Sequence, residues 1–222
     1  MTHSVVRQLV LKDLYLVRWM VAGSLAGGAV ALGLMPLGPV PSYVSAVTLI
    51  CVLVILNIVL VMSSIVQERK DKVLLFILSL PVSTSQYTAA KVISNTVAFG
   101  LTWLVLVVAS AIVIDIAPIS NGLLPVWIAI LAYLFGYYGV LTAVALVSES
   151  TGWHATTITI GNISVNFLIP LLLGMRSVIE HRNSPVAVWT NDFIVIIAIE
   201  LAVGVVALCL GVYLRSRATD FV

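Results

Sequence analysis

The residue types that most often carry enzyme chemistry are sparse and widely separated in this sequence. The three histidines, His3, His154 and His181, stand far apart, and neither an HExxH zinc motif nor a GxSxG nucleophile motif occurs. The GxxxxGK(S/T) loop that holds ATP phosphates is also missing. Cys51 and Cys209 lie in apolar runs, without metal or redox spacing. We therefore predict no catalytic, metal-binding or cofactor-binding residue, and a chain that is not an enzyme by itself.

Several polar residues stand inside long apolar runs, where they become informative if those runs cross a membrane. Glu200 lies on the order of 12 Å into its run, at a rise of 1.5 Å per residue, and an unpaired charge there costs roughly 2 to 3 kcal/mol or more. It is either a pathway or proton-linked group, or a protonated acid hydrogen-bonded to a neighbouring helix. The same choice between pathway and helix-to-helix hydrogen bonding applies to the asparagines in these runs, which are Asn57, Asn95, Asn162 and Asn166.

The amino-acid composition indicates the environment of the segments that carry these residues. Of the 222 residues, 61% are hydrophobic and 9% charged, against roughly a quarter charged in an average soluble domain. Such a composition predicts that lipid is the solvent. The net charge of +2 is small and spread along the chain, which excludes a nucleic-acid-binding protein with a clustered basic face.

A spanning helix needs about 20 mostly apolar residues, and six segments of this kind are present. They are Trp19–Leu37, Tyr43–Val66, Lys91–Ile114, Val126–Val147, Ala155–Met175 and Phe193–Leu214. The sequence therefore predicts an all-α integral membrane protein with six transmembrane helices, forming a single transmembrane domain over residues 1–222.

Orientation follows from the basic residues, because cytoplasmic segments carry the excess of Lys and Arg. With the N-terminus inside, nine of the eleven lie on the inner side: Arg7, Lys12, Arg18, Arg69, Lys70, Lys72, Lys91, Arg215 and Arg217. Only Arg176 and Arg182 lie outside. Both termini are predicted to be cytoplasmic.

Two segments are amphipathic but too short to span. Within residues 1–18, the stretch from Val5 to Val17 has one apolar face and predicts an N-terminal interfacial helix, although Asp13 falls on the apolar side. The second lies in the cytoplasmic connection 67–90, where Asp71 to Leu80 predicts a short helix ended by Pro81.

This connection carries the most specific pattern in the chain. Glu68 is followed by the basic cluster Arg69–Lys72, by Leu-Ser-Leu-Pro-Val-Ser at residues 78–83, and then by Tyr87 and Lys91. The order resembles the permease subunits of ABC-2 type ABC transporters, in which these elements leave the second span, form a short coupling helix and open the third. A departure is Lys72-Val73, where the family usually has Gly or Thr.

The resemblance implies a membrane-spanning permease of an ATP-driven exporter in the plasma (inner) membrane. ATP would be bound by a separate cytoplasmic ABC ATPase, and a second permease copy or homologue would complete the transporter. The residues expected to couple to the ATPase are Glu68, Val73, Phe76, Ile77, Leu80 and Pro81; those expected near a pathway are Glu200, Asn57, Asn162 and Asn166.

Two alternatives come from other classes. A secondary transporter or channel would use Glu200 as its ion-coupled group, but such proteins often contain inverted repeats, and the two halves of this chain show no such symmetry. An assembly factor without transport activity is the third candidate. The substrate stays open among peptides, drugs, lipid-linked glycans and ions.

Overall fold

The described part of the protein consists mainly of long helices. The computed structural model describes residues 2–68, 84–117 and 120–217. Its helices are α1 (Thr2–Leu34), α2 (Pro39–Val61), α3 (Thr84–Ile116), α4 (Leu124–Val147), α5 (Thr151–Leu173), α6 (Arg176–His181) and α7 (Asn191–Arg217). All except α6 are long and apolar enough to cross a membrane, which gives six candidate spans. The predicted all-helical fold with six spans is confirmed.

Helix α1 combines two segments that the sequence separates. The predicted interfacial helix and the first span form one continuous helix of 33 residues. At 1.5 Å per residue it is about 50 Å long, against about 30 Å for the hydrocarbon core, so one end extends beyond the hydrocarbon. Arg18 interrupts the apolar run, but no proline or helix break accompanies it.

The turn between α1 and α2 depends on glycine and proline. A short 3-10 helix, Met35–Leu37, ends at Gly38, whose φ of 127° and ψ of 179° suit glycine and are strained for other residues. Pro39 then begins α2. Proline has no backbone N–H, and none is needed here, because the N–H groups of a helix's first turn have no acceptor within the helix. The chain therefore reverses within a few residues, and α1 and α2 pack side by side.

Helix α4 forms the centre of the core. It contacts α2, α3, α5 and α7, and most of its side chains are buried. Two apolar clusters follow it along the bundle, one around Trp127, Leu131 and Leu134, the other around Tyr138 and Leu141. Helix α1 packs against α2 and α3 instead. The spans around α4 leave large apolar side chains exposed, as expected for helices in contact with lipid.

Among the described helices, α4 and α7 make the most extensive contact, and glycines allow it. A Cβ atom added to Gly139 would lie 2.3 Å from the carbonyl oxygen of Gly204. Small residues of this kind permit close packing of helix backbones in membranes. The α4–α7 contact therefore fixes the last span against the centre of the bundle.

Candidate functional site

Three charged side chains meet where α1, the end of α2 and the start of α3 come together. The Nζ atom of Lys91 lies 2.7 Å from Oε1 of Glu68 and 2.8 Å from Oδ2 of Asp13. The Lys91 side chain is only 4% exposed, and that of Asp13 only 5%. A buried ammonium group is thus held between two carboxylates from two other helices. We call Asp13, Glu68 and Lys91 the charged triad.

Helix α3 supplies further partners from the same face. The hydroxyl of Tyr87 donates to Oε2 of Glu68 at 2.7 Å, so both carboxylate oxygens of Glu68 are bound by side chains of α3. The hydroxyl of Ser94 lies 3.4 Å from Oδ2 of Asp13. Tyr87, Lys91 and Ser94 are spaced four and three residues apart, which places them on one side of a helix.

Glu68 reaches α3 through an irregular turn. The last turns of the second span, Met62–Gln67, are π-helical. A π turn contains one more residue than an α-helical turn, so the side chains after it point in other directions than a continuous α-helix would give them. Such turns are frequent at functional sites. Four residues before Glu68, the Ser64 hydroxyl accepts a hydrogen bond from the Asn95 amide at 2.6 Å, which joins the π turn to α3.

The charges of the triad are balanced once a neighbouring lysine is included. Lys91 lies between two carboxylates, and the Nζ of Lys12, whose side chain is 45% exposed, lies 3.4 Å from Oδ1 of Asp13. Together the four groups are formally neutral. Removing one member of such a buried arrangement would leave an uncompensated charge between the helices.

A second polar location lies between α4, α5 and α7. A cavity of about 390 Å³ is lined by Tyr133, Tyr137, Thr157, Gly161, Ser164 and Glu200 together with apolar side chains. The hydroxyl of Tyr133 donates to the carbonyl of Gly161 at 3.0 Å. Oε2 of Glu200 is buried, and the described residues offer it no hydrogen-bond partner.

The family follows from a comparison with family models. A model described as ABC-2 family transporter protein matches residues 37–214, which is most of the chain. The chain belongs to the ABC-2 transporter family. Comparison with curated proteins and with solved structures found no match. This ABC-2 protein is a multi-pass membrane permease subunit of an ABC transporter, and the resemblance seen in the sequence is confirmed.

The ABC-2 signature is partly visible in the structure. Glu68, Tyr87 and Lys91 contact one another directly at the two ends of the connection between α2 and α3. The other residues expected to couple to the ATPase lie outside the described residues. They are Val73, Phe76, Ile77, Leu80 and Pro81.

The four expected pathway residues do not form a single site. Glu200 lines the cavity, whereas Asn57 is buried in α2 and its amide has no hydrogen-bond partner among the described residues. The Asn162 amide donates to the carbonyl of Ile158 at 2.9 Å, and the Asn166 amide donates to the carbonyl of Asn162 at 2.8 Å. Both asparagines therefore satisfy part of their hydrogen bonding within α5.

Sequence reasoning assigned no role to Asp13 in this site. It did mark Asp13 as a charge on the apolar side of an amphipathic helix. That was the available signal, because a charge on a buried face requires a partner of opposite sign. The partner, Lys91, comes from a different helix.

Among the residues the structure describes, no group of three or more His, Cys, Asp or Glu side chains is arranged to hold a metal ion.

Proposed function

We propose that this permease subunit couples ATP hydrolysis on a separate cytoplasmic ATPase chain to export of a substrate. The observation that carries the proposal is the charged triad at the two ends of the α2–α3 connection. The family match favours this function over a secondary transporter or a channel.

The mechanical argument begins with the position of the triad. Glu68 is the last described residue before the connection, and Tyr87 and Lys91 lie in the first turns of α3 after it. Their contacts join the two ends of the connection, and Asp13 adds α1 to them. A force applied to the connection by an ATPase would therefore act on α1, α2 and α3 together, as a rigid-body movement of three spans.

The distribution of basic residues supports a cytoplasmic location for this connection. Six crossings put the first and last described residues on one side of the membrane. That side carries nine of the eleven Lys and Arg residues in the sequence, and the opposite side carries Arg176 and Arg182. By the positive-inside rule both termini and the α2–α3 connection are cytoplasmic. The plasma (inner) membrane is the location that the resemblance to ABC-2 permeases implies.

Helix α5 supports pairing with a second permease copy. Thr159, Asn162 and Asn166 are spaced three and four residues apart on one face, and both Thr159 and Asn166 are exposed. Polar side chains in a span usually face protein or a water-filled cavity, because contact with lipid is unfavourable for them. A second copy packed against this face would cover it and enclose a pathway between the two subunits.

Affinity purification of the tagged permease from its own cells tests the proposal. We expect an ATPase chain with a P-loop to co-purify in mild detergent, and ATP hydrolysis by the complex to require that chain. A permease that purifies without any ATPase, while transporting substrate in vesicles that lack ATP, would contradict it.

A further inference from the structure

The cavity between α4, α5 and α7 has a shape and a charge that define a ligand. We propose that it binds a hydrophobic organic monocation, with Glu200 as the counter-ion. Such a site goes beyond ATPase coupling, because it concerns helices that contribute nothing to the charged triad. Its volume of about 390 Å³ lies in the range of small-molecule sites.

The charge argument rests on what surrounds Glu200. Its Oε2 atom is buried without a hydrogen-bond partner among the described residues, and none of the residues that line the cavity is basic. An ionised carboxylate in apolar surroundings is unfavourable without a nearby cation. A cation in the cavity would supply a counter-charge that none of the lining residues provides.

The walls suit a cation that carries apolar groups. Tyr133 and Tyr137 line the cavity, and aromatic rings attract ammonium groups that have lost water. Their hydroxyls donate to the carbonyls of Gly161 and Ile158, at 3.0 Å and 3.4 Å, which fixes the rings against α5. Val140, Ile160 and Val203 complete an apolar wall for the hydrocarbon part of the ligand.

Close packing around Gly161 shapes this wall. A Cβ atom on Gly161 would lie 2.1 Å from the ring of Tyr137, so any larger residue would displace that ring. The glycine therefore lets the tyrosine lie flush against α5 beside the cavity.

The depth of Glu200 in the membrane indicates where its ligand comes from. Glu200 is on the order of 14 Å along α7 from its first residue, Asn191, in a helix of about 40 Å. This depth lies in the hydrocarbon region rather than among lipid headgroups. The occupant is therefore an amphipathic amine or quaternary ammonium compound dissolved in the membrane.

Direct binding tests the proposal without any ATPase, so its outcome is separate from that of the proposed function. The full-length chain is purified in an uncharged maltoside detergent, and binding of radiolabelled benzyltriethylammonium is measured by equilibrium dialysis. This probe has a permanent charge. We expect saturable binding at one site per chain, and at least tenfold weaker binding of the neutral analogue in which carbon replaces nitrogen.

Three variants assign the binding to this cavity. Glu200→Gln keeps the shape of the side chain, and we expect at least tenfold weaker binding of the probe. Val203→Phe retains Glu200 but fills the cavity from a partly exposed position, so it should also weaken binding tenfold or more. Glu180→Gln, at an exposed residue of α6 paired with Arg176, is the matched control and should bind like wild type.

Size-exclusion chromatography and circular dichroism identify the variants that remain folded. The proposal is overturned if the wild type shows no saturable binding, or if it binds the neutral analogue equally well. It is also overturned if either folded cavity variant binds the probe like wild type. Should Glu200→Gln fail to fold, Val203→Phe and the neutral analogue still decide the question.

Discussion

The Lys91 ammonium group lies 2.7 Å from the Glu68 carboxylate, although 23 residues separate the two in sequence. The contact joins the end of α2 to the start of α3. It brings together the two ends of the connection that carries the ABC-2 signature, and the neighbouring Asp13 extends the contact to α1.

Removing the central cation of the triad should destabilise the protein. Lys91→Met takes away the cation that Glu68 and the buried Asp13 share, and breaking a buried ion pair in this way costs about 3 to 5 kcal/mol. Thermal unfolding in detergent should therefore begin several degrees lower. Lys12→Met is the matched control, because this exposed lysine contributes at most about 1 kcal/mol. Equal melting of the two variants would show that the triad does not stabilise the fold.

Replacing Gly139 by a larger residue should separate α4 from α7. A Cβ atom at Gly139 would lie 2.3 Å from the backbone of Gly204, and overpacking of this kind costs about 1 to 3 kcal/mol. The melting temperature of Gly139→Ala should fall. Gly23→Ala, where no atom lies within 4 Å of the added Cβ, should be neutral or slightly stabilising. A Gly139→Ala protein as stable as wild type would argue against the close α4–α7 packing.

Labelling of introduced cysteines should reveal the orientation. In a background without Cys51 and Cys209, a cysteine at Ser83 should react with an impermeant reagent only after the cells are opened. A cysteine at Asn183, exposed in the connection between α6 and α7, should react in intact cells. The reverse pattern would contradict the proposed topology.

The fold was predictable because composition dominates it. Six apolar runs of sufficient length leave few alternatives to six spanning helices. The ends of the helices were less predictable, because a charged residue in the sequence does not always mark the end of a helix. The sequence predicts a third span that starts at Lys91, yet α3 begins at Thr84. Lys91 can be buried because two carboxylates neutralise it.

The sites could be anticipated only in part. Glu68, Tyr87 and Lys91 belong to a recognisable pattern, and Asp13 and Glu200 were conspicuous as charges in apolar surroundings. Their partners depend on contacts between distant segments, such as α1 with α3, which periodicity does not reveal. The cavity beside Glu200 and the contact of Gly139 with Gly204 likewise arise from the packing of separate helices.

Coupling to the ATPase is the central claim, and Phe76 offers the most direct test. The sequence predicts a helix from Asp71 to Leu80, with Val73, Phe76, Ile77 and Leu80 on the face that contacts the ATPase. Truncating an interface anchor typically costs on the order of 2 kcal/mol, or roughly thirtyfold in affinity. Phe76→Ala should therefore weaken ATPase association by about that factor, while expression and membrane insertion stay normal.

The deciding measurement is quantitative pull-down of the ATPase with the tagged permease, in wild type, Phe76→Ala and Leu75→Ala. Leu75 lies on the opposite face of the predicted helix, so its truncation serves as the matched control. We predict strongly reduced ATPase recovery for Phe76→Ala and wild-type recovery for Leu75→Ala. Equal recovery from all three proteins, with undiminished transport, would contradict coupling through this helix.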